Sequence, residues 1–274
     1  MIDLHLHTTA SDGRLSPVEL VVRVKAAGIA VMSVTDHDTV AALDEVRRAA
    51  GPLGITLVDG IEVTAVHDGR DVHLLGYFID PADAELGVFL QEQRRRRVER
   101  IREMAARLAR LGAPVEVETS IARAARKPGA SVGRPVLARA LIRAGHVTTL
   151  HEAFERFLAA GQAAFVPRSG KTPAEVVDVI HQAGGLASMA HPGVTRQPAV
   201  MASLVGAGLD AIEVYHSDHS AAVIHDLQQF AAEQRLLATG GSDFHGDDSR
   251  DRSLGRVTLP AADFDRLRSA RWPA

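Results

Sequence analysis

The sequence lacks cysteine altogether, and its 274 residues include one tryptophan, two tyrosines and no long uncharged apolar run. Without cysteine, disulfides and thiolate ligands are excluded, so any bound metal must be held by nitrogen and oxygen atoms. The missing apolar run argues against a membrane span, and the N-terminus lacks the basic and apolar segments of a signal peptide. These absences predict a cytoplasmic protein that does not associate with membranes.

A strong net charge is also missing. Lysine and arginine total 31 against 34 aspartate and glutamate residues, which leaves a formal net charge of −3. Stable binding to duplex DNA is therefore not expected, because it requires an extended basic surface. The chain does contain 46% hydrophobic residues, enough for a large buried core, and 13 histidines, a high number for this length. The sequence carries no signal for the oligomeric state.

Strand-like and helix-like segments alternate in the first 80 residues and again after about residue 165. The run at positions 2–7, IDLHLH, alternates apolar and polar residues, which is the period of a β-strand. Two later segments begin with the Ser/Thr-Pro-x-Glu pattern of a capped helix, at Ser16 and at Thr172. Strands that alternate with helices predict a mainly parallel sheet, either open or closed into a barrel.

The stretch at positions 81–165 differs, because it is rich in Arg, Ala and Leu and shows no strand signal. In the segment EQRRRRVERIREMAARLARLG the apolar residues recur at helical spacing and form one stripe. The four arginines at positions 94–97 are interpreted first as a solvent-facing side and second as a patch that attracts phosphate. We therefore predict that residues 1–80 and 166–274 form one α/β domain, into which residues 81–165 are inserted as a helical subdomain.

Side chains that can bind metal recur at the predicted C-terminal ends of strands. His5 and His7 share one face of the first strand and could bind the same ion, although two hydrogen-bonded histidines would explain this pair at least as well. Histidine or carboxylate residues mark five further predicted strand ends: Asp36, His37, Asp38, Glu62, His73, His191, Asp243 and His245. In α/β folds such ends meet at one edge, where functional sites assemble. We assign five other histidines to the surface or to ordinary packing: His67, His146, His151, His181 and His225.

Imidazole and carboxylate together suit zinc, iron or manganese, and clustered ions of this kind can bind a phosphate and activate water. A shared carboxylate is the usual bridge between two such ions. Glu62 is the only glutamate in the set, which makes it the candidate for that bridge.

Six motifs in this chain, DLHLHTTASDG, VTDHDT, GIEVT, VHLLGY, MAHPG and GGSDFHG, resemble the motif series of the PHP (polymerase and histidinol phosphatase) family. The similarity runs over essentially the whole chain, and it is greatest to the branch of small stand-alone phosphoesterases that act on nucleotides and short RNA. The resemblance implies an α/β fold, a distorted (β/α)7 barrel with an inserted helical subdomain, which agrees with the interruption in the strand pattern.

The resemblance also implies two or three divalent metal ions, either manganese, zinc or iron. It distributes the ligands over three positions: His5, His7, Glu62 and Asp243 for the first ion, Glu62, His73 and His191 for the second, and Asp12, His37 and His245 for the third. Every one of these positions holds a residue that can ligate a metal, which argues against an inactive relative.

On the substrate side, the segment VGRPVLARALI resembles the family segment that presents arginine to a phosphate, which implies roles for Arg134 and Arg139. Lys171 matches a position for a phosphate-facing basic residue, and a solvated lysine in front of a helix is the alternative. His216 and His219 follow a predicted strand. The resemblance implies that His219 borders the substrate, which makes it the candidate for a catalytic role, and His216 is a further candidate for substrate binding.

The leading hypothesis is hydrolysis of a nucleotide phosphoester by a metal-bound hydroxide. The expected substrate is the 3′-phosphate of a nucleoside 3′,5′-bisphosphate or a short 5′-phosphorylated RNA. Another small phosphomonoester, such as histidinol phosphate, is the alternative substrate, and a non-catalytic PHP regulatory module is the alternative function. One position departs from the family pattern, because Val136 stands where a histidine is often found.

Overall fold

The computed structural model describes residues 1–126, 131–246 and 253–271. Seven strands form one sheet, and their order in the sheet follows their order in the chain. The strands are β1 Ile2–Leu6, β2 Val31–Val34, β3 Thr56–His67, β4 Arg70–Tyr77, β5 Leu186–Met189, β6 Ala211–His216 and β7 Leu237–Gly241. Neighbouring strands pair in parallel except at β4, which is antiparallel to both β3 and β5.

The reversal at β4 follows from a two-residue connection. Only Asp68 and Gly69 separate β3 from β4, and both have positive φ, 49° and 73°. Positive φ at both central residues defines the hairpin turn whose twist matches that of the flanking strands, and Asp-Gly is a preferred sequence for it. A parallel pairing would need a crossover of a dozen or more residues. One hairpin therefore interrupts the predicted alternation of strands and helices.

The sheet closes on itself because the chain beyond β7 pairs with β1. Phe244 forms a parallel bridge with Leu6, and the backbone N–H of His7 donates to the Phe244 carbonyl at 3.0 Å. At this seam a side chain on Gly241 would place its Cβ 2.3 Å from the backbone nitrogen of His5, so only glycine permits the approach. The result is a nearly closed, seven-stranded barrel, which confirms the predicted fold class.

The described residues form eleven helices: α1 Pro17–Ala26, α2 Leu43–Ala50, α3 Ala84–Arg110, α4 Glu118–Ala125, α5 Arg134–Arg143, α6 Leu150–Ala153, α7 Pro173–Gln182, α8 Pro192–Thr195, α9 Pro198–Gly206, α10 Ala221–Gln234 and α11 Ala261–Ala270. Ser16 and Thr172 cap α1 and α7 with the predicted reciprocal hydrogen bonds to a glutamate three residues later. Helix α7 packs on β3, β4 and β5 and buries Val176, Val177 and Ile180. No helix in the described part of the chain is both long and apolar enough to cross a membrane.

The helices from α3 to α6 pack mainly around an apolar cluster of their own. Ile101, Met104 and Leu108 of α3 meet Leu137 and Leu141 of α5 in this cluster. We use the term helical block for the elements from α3 to α6. The domain boundaries at residues 80 and 165 stay a prediction.

The arginine run in α3 does not form a uniform solvent-facing side. Arg95 and Arg96 lie at the surface and pair with glutamates of the same helix. Arg97 is buried, with 8% of its surface exposed, and its Nε donates to the carboxylate of Asp38. Since Arg97 lies four residues before Ile101, it belongs to the buried stripe of the helix. The interpretation of the run as solvent-facing was therefore wrong for Arg97.

Candidate metal centre

Side chains that can bind metal gather at one end of the barrel. His5 and His7 come from the end of β1, His37 follows β2, His191 follows β5 and Asp243 follows β7. Because these strands run in the same direction, their C-terminal ends lie at the same edge of the sheet.

Glu62 and His73 also lie at this edge, but their positions within their strands differ from the predicted ones. Glu62 lies in the middle of β3, where it forms a bridge with His37, and the strand continues to His67 because it enters the hairpin. His73 lies in the first half of β4, and β4 begins at the edge where the other strands end. The prediction that both residues stand at C-terminal strand ends was wrong, although both side chains join the cluster.

The two carboxylate oxygens of Glu62 face different histidines. Oε1 lies 2.8 Å from Nδ1 of His73 and 3.2 Å from Nε2 of His191. Oε2 lies 3.1 Å from Nδ1 of His37, 3.4 Å from Nε2 of His5 and 3.3 Å from Nε2 of His7. A carboxylate with this arrangement is suited to bridge two metal ions.

A further group combines His7, Asp12, His37 and His245, whose potential ligand atoms all lie within 4.8 Å of one another. Oδ1 of Asp12 lies 3.3 Å from Nε2 of His245, and Oδ2 lies 3.8 Å from Nε2 of His37. The structure thus brings together the three residues of the predicted third position and adds His7 to them.

Asp243 and His191 have an unusual backbone conformation, with φ values of 53° and 32°. Residues other than glycine rarely adopt positive φ, and such strained positions cluster at functional sites. In this conformation Oδ1 of Asp243 lies 3.4 Å from Nε2 of His5 and 3.2 Å from Nε2 of His7. The strained turn therefore directs the Asp243 carboxylate at the two histidines that also face Glu62.

Hydrogen bonding in the cluster fits a metal centre. Within the described residues, several buried ring nitrogens make no hydrogen bond of suitable geometry, even where a carboxylate oxygen is close: Nδ1 and Nε2 of His7, Nδ1 of His37, Nδ1 of His73 and Nδ1 of His191. Buried polar atoms without a partner are rare in native proteins. Imidazole nitrogens beside carboxylate oxygens are a donor set that zinc, iron and manganese accept. The residues present therefore fit divalent cations.

Protonation within the cluster also depends on burial and on the carboxylates. Burial lowers the pKa of His37 to about 3, although Glu62 and Asp12 act to raise it. Burial also acts to lower the pKa of His245, but Asp12 and Asp243 raise it to about 9. At neutral pH His37 is therefore neutral, the form that ligates a metal, whereas His245 must release a proton to do so.

Glu213 is a buried residue of β6 that the sequence analysis did not single out. Its Oε1 accepts a hydrogen bond from Nδ1 of His5 at 2.8 Å, and its Oε2 accepts one from the backbone N–H of His191 at 2.7 Å. The first bond places a proton of His5 on Nδ1, so that Nε2 is the atom facing Glu62 and Asp243. A lone glutamate within the apolar strand LDAIEVYH was the signal for it.

Replacing Glu213 with glutamine is expected to weaken metal binding by about ten- to a hundredfold, the usual effect of losing a carboxylate behind a histidine ligand. The amide cannot accept both hydrogen bonds, so either the His5 ring or the turn at His191 loses its support. Titration of the metal-free protein against a chromogenic chelator measures the change. Glu175→Gln serves as the control, because it alters the cap of α7 and a surface contact with Lys171, both outside the cluster. Unchanged affinity in Glu213→Gln would contradict this role.

His216 is buried beside Asp243, with its Nε2 3.4 Å from Oδ2 of that residue. Its Nδ1 accepts a hydrogen bond from the backbone N–H of Asp218 at 3.1 Å. A neutral ring with Nδ1 as acceptor carries its proton on Nε2, where it faces the Asp243 carboxylate. His216 thus supports Asp243, and its predicted contact with substrate stays a prediction.

His219 uses both of its ring nitrogens within the protein. Nδ1 donates to the carbonyl of Val214 at 2.9 Å, and Nε2 accepts from the backbone N–H of Gly193 at 3.2 Å. Burial lowers the pKa of His219, which agrees with the neutral form that this pattern requires. A Cβ on Gly193 would lie 2.7 Å from the His219 ring, so glycine permits the contact. This geometry favours positioning of the turn after His191 over the predicted catalytic role.

Arg134 lies at the first turn of α5 and faces the barrel. Its guanidinium stands 5.7 Å from the ring centroids of both Phe154 and Phe165, and its Nη2 lies 3.8 Å from Oδ2 of Asp71. Asp71 and His73 are two residues apart on β4 and therefore share a face of the strand. Arg134 is thus beside the histidine cluster.

The structure does not bring Arg139 or Lys171 to the cluster. Arg139 is exposed on α5, and its Nε donates to the carbonyl of Pro135 at 3.3 Å. Nζ of Lys171 lies 3.6 Å from Oε1 of Glu175, and 42% of the lysine side chain is exposed, which agrees with a solvated lysine. Val136, at the position where the family often has histidine, packs against the apolar cluster of the helical block. The predicted phosphate contacts of Arg139 and Lys171 have no support in this geometry.

Arg168 occupies the place beside the cluster that was predicted for Lys171. Its Nε lies 3.2 Å from Oδ1 of Asp71, and its Nη1 lies 3.7 Å from Oδ2 of Asp38. Asp38 is buried and also pairs with Arg97. The segment RSGKTP contains both Arg168 and Lys171, and only the folded structure shows which of the two side chains turns inward.

The chain is similar to known proteins over most of its length, and a family model described as PHP domain matches residues 3–94. The 5′-3′ exoribonuclease of Haemophilus influenzae is 35% identical over 248 residues, which cover 89% of each chain. The 3′,5′-nucleoside bisphosphate phosphatase of Chromobacterium violaceum is 33% identical over 261 residues, covering 93% of this chain and 91% of that protein.

Solved structures show the same similarity. A protein from Bifidobacterium adolescentis described as a metal-dependent phosphoesterase superimposes with a TM-score of 0.88 at 29% identity, covering 100% of this chain and 96% of that one. An amidohydrolase from Chromobacterium violaceum, solved with bound sulfate, gives a TM-score of 0.85 at 32% identity over 98% and 96% of the two chains. These similarities confirm the resemblance inferred from the motifs, and the chain belongs to the PHP family as a metal-dependent phosphoesterase.

Proposed function

We propose that this enzyme hydrolyses a phosphoester of a small nucleotide. The substrate is the 3′-phosphate of a nucleoside 3′,5′-bisphosphate or a short 5′-phosphorylated RNA. The observation that carries this proposal is the presence of two neighbouring groups of side chains whose chemistry suits phosphate. The first is the histidine and carboxylate cluster at the barrel end, and the second is the pair of Arg134 and Arg168 beside it. A substrate with two phosphates can place one at each group.

The distance between the two groups is set by β4. His73 faces Oε1 of Glu62 within the cluster, and Asp71, two residues earlier on the same face, holds both Arg134 and Arg168. Two residues of a strand span about 7 Å. This spacing supports a substrate whose two phosphates are separated by a ribose.

Three relatives support the substrate class by what they act on. One is named for a nucleoside 3′,5′-bisphosphate and another for 5′-3′ cleavage of RNA. A third, from Eggerthella lenta, is named a phosphoribosyl 1,2-cyclic phosphate 1,2-diphosphodiesterase and is 30% identical over 92% of this chain. RNA is itself a polymer of phosphorylated ribose, so this chemical group is common to the substrates that the three names indicate.

In the proposed mechanism, the cluster residues hold two or three ions of manganese, zinc or iron. The proposed ligands are His5, His7, Asp12, His37, Glu62, His73, His191, Asp243 and His245. Divalent ions bound there lower the pKa of water and offset the charge of the phosphoryl oxygens.

The remaining residues of the site orient these ligands and bind the substrate. Glu213 orients His5, and His219 supports the turn that carries His191. Arg134 and Arg168 bind the phosphate that does not react, because their planar guanidinium groups match two oxygens of a phosphate at once.

Arg134→Ala is expected to raise KM for a nucleoside 3′,5′-bisphosphate by about ten- to a hundredfold, since it removes one charge-assisted contact to the second phosphate. The kcat value should change much less, because Arg134 does not belong to the metal cluster. Phosphate release in the presence of manganese measures both constants. A simple aryl phosphate has no second phosphate, so its KM should hardly change.

Arg143→Ala provides the matched control, because Arg143 is exposed on the same helix. Arg139→Ala shows whether Arg139, the other arginine predicted from the sequence, also contributes to substrate binding. We expect its KM to equal that of the control. A panel of nucleotides, 3′,5′-bisphosphates, short oligoribonucleotides and histidinol phosphate tests the substrate class directly. A preference for histidinol phosphate, with Arg134→Ala indifferent, would overturn the proposed substrate and leave the phosphoesterase assignment standing.

A further inference from the structure

A cavity of about 190 Å³ lies between α3 and the segment at positions 166–169, outside the metal centre. Its lining includes four arginines and two glutamates, namely Arg96, Arg97, Arg100, Arg168, Glu99 and Glu103. These six residues are distinct from those of the potential metal-ligand groups. The cavity is therefore strongly basic and lies outside the metal cluster, although it shares Arg168 with the proposed second phosphate-binding group.

The two glutamates do not neutralise this cavity, because other arginines of α3 engage them. Glu99 pairs with Arg95, and Glu103 pairs with Arg107 at 2.7 Å. Both of these pairs lie near the helix surface, and neither Arg95 nor Arg107 lines the cavity.

Arg100 is the buried residue of the cavity whose charge is least satisfied. It is 8% exposed, its Nε donates to the carbonyl of Val166 at 2.7 Å, and its guanidinium lies 5.4 Å from the ring centroid of Phe165. Within the described residues its Nη2 has no hydrogen-bond partner, and no carboxylate lies within ion-pair distance. A buried cation without a counter-charge is costly unless a ligand supplies one.

The neighbouring arginines increase the excess of positive charge. Arg97 and Arg168 share the carboxylate of Asp38, and Arg168 also pairs with Asp71. Burial, followed by the nearby positive charge of Arg168, lowers the pKa of Arg100 to about 10, so the group remains charged at neutral pH. The two nearby carboxylates, Asp38 and Asp71, thus pair with Arg97 and Arg168 and leave the charge of Arg100 without an ion-pair partner among the described residues.

We propose that this cavity binds a tetrahedral oxyanion of the phosphate type, held by Arg100 together with Arg97 and Arg168. Guanidinium groups bind such anions through paired N–H donors, and the unpartnered Nη2 of Arg100 is one donor that such an anion would satisfy. Free inorganic phosphate and the phosphate group of a nucleotide share this chemistry. Arg168 also pairs with Asp71, as Arg134 does, so this site and the proposed second phosphate-binding group share one side chain.

Calorimetric titration of the full-length chain with inorganic phosphate tests the proposal, both with a chelator present and with manganese present. We expect saturable binding and a rise in Tm under both conditions, because the cavity lies outside the metal cluster. Arg100→Met should weaken this binding by about tenfold or more, the loss expected for one charge-assisted hydrogen bond. Arg102→Met, an exposed position on the same helix whose partner Glu118 does not line the cavity, should bind phosphate like the parent protein.

A second variant tests the same site in case Arg100→Met does not fold. Ser169 is exposed where it lines the cavity, and Ser169→Glu should weaken phosphate binding by adding negative charge without disturbing the core. Titration with adenosine 5′-monophosphate in the presence of chelator shows whether the bound anion is free phosphate or the phosphate group of a nucleotide. Arg100-dependent binding of the nucleotide alone points to a nucleotide phosphate, and equal binding of inorganic phosphate points to the free anion. Absence of saturable binding of either ligand, or binding that both variants leave unchanged, would overturn the proposal.

Discussion

Asparagine in place of Asp243 is expected to lower kcat by about a thousandfold or more, because residues of one catalytic cluster act as a unit. Oδ1 of Asp243 faces Nε2 of both His5 and His7, so the neutral amide removes a charged ligand without changing the shape of the turn. Burial acts to raise the pKa of Asp243, but His5 and its neighbours hold it well below its ordinary value, so the residue is ionised at neutral pH. Phosphate release from an aryl phosphate at saturating manganese measures the loss.

His191→Ala should reduce kcat to a similar extent, since His191 faces Oε1 of Glu62, whereas His5 and His7 face Oε2. Asp263→Asn is the matched control, because Asp263 is a buried aspartate that accepts a hydrogen bond from Tyr215 at 3.1 Å and lies outside the cluster. Circular dichroism and Tm establish that each variant folds. Near-normal kcat for Asp243→Asn at saturating manganese would rule out this cluster as the site of catalysis.

Glutamine in place of Glu62 is expected to remove at least one bound ion per chain and to lower kcat by about three orders of magnitude. The amide nitrogen has no lone pair for a metal, so the histidines around one of the two side-chain positions would lose their shared ligand. Burial acts to raise the pKa of Glu62, yet His37, His73 and His5 hold it well below its ordinary value, so the native group carries the charge that two ions would share.

Elemental analysis of the purified variant gives the ratio of metal to protein, and the kinetics are measured on the same sample. Glu118→Gln serves as the control, because Glu118 is exposed on α4 and pairs only with Arg102 among the described residues. The bridging role predicts that metal content and kcat fall together. Full metal content in Glu62→Gln would exclude Glu62 as the bridge.

The sequence by itself determined the fold class, the family and the residue types available to bind a metal. His5 and His7 could be placed on one face from their spacing alone, because side chains alternate along a strand. The family motifs pointed to nine candidate ligands, and all nine side chains approach one another in the structure. These features depend on local periodicity and on short motifs, and both can be recognised in the sequence without knowledge of the tertiary structure.

Only the tertiary structure decided which side chains act together across the barrel. The hairpin that reverses β4 brings the first half of that strand, with His73, to the edge where the other strands end. Glu213 and Arg168 became visible as parts of the site because their partners lie far away in the sequence, at His5 and Asp71. Arg97 looked like part of a solvated run, yet the helix turns it toward a buried aspartate. Contacts between distant segments depend on how the barrel closes and how the helical block packs, and a local pattern does not contain that information.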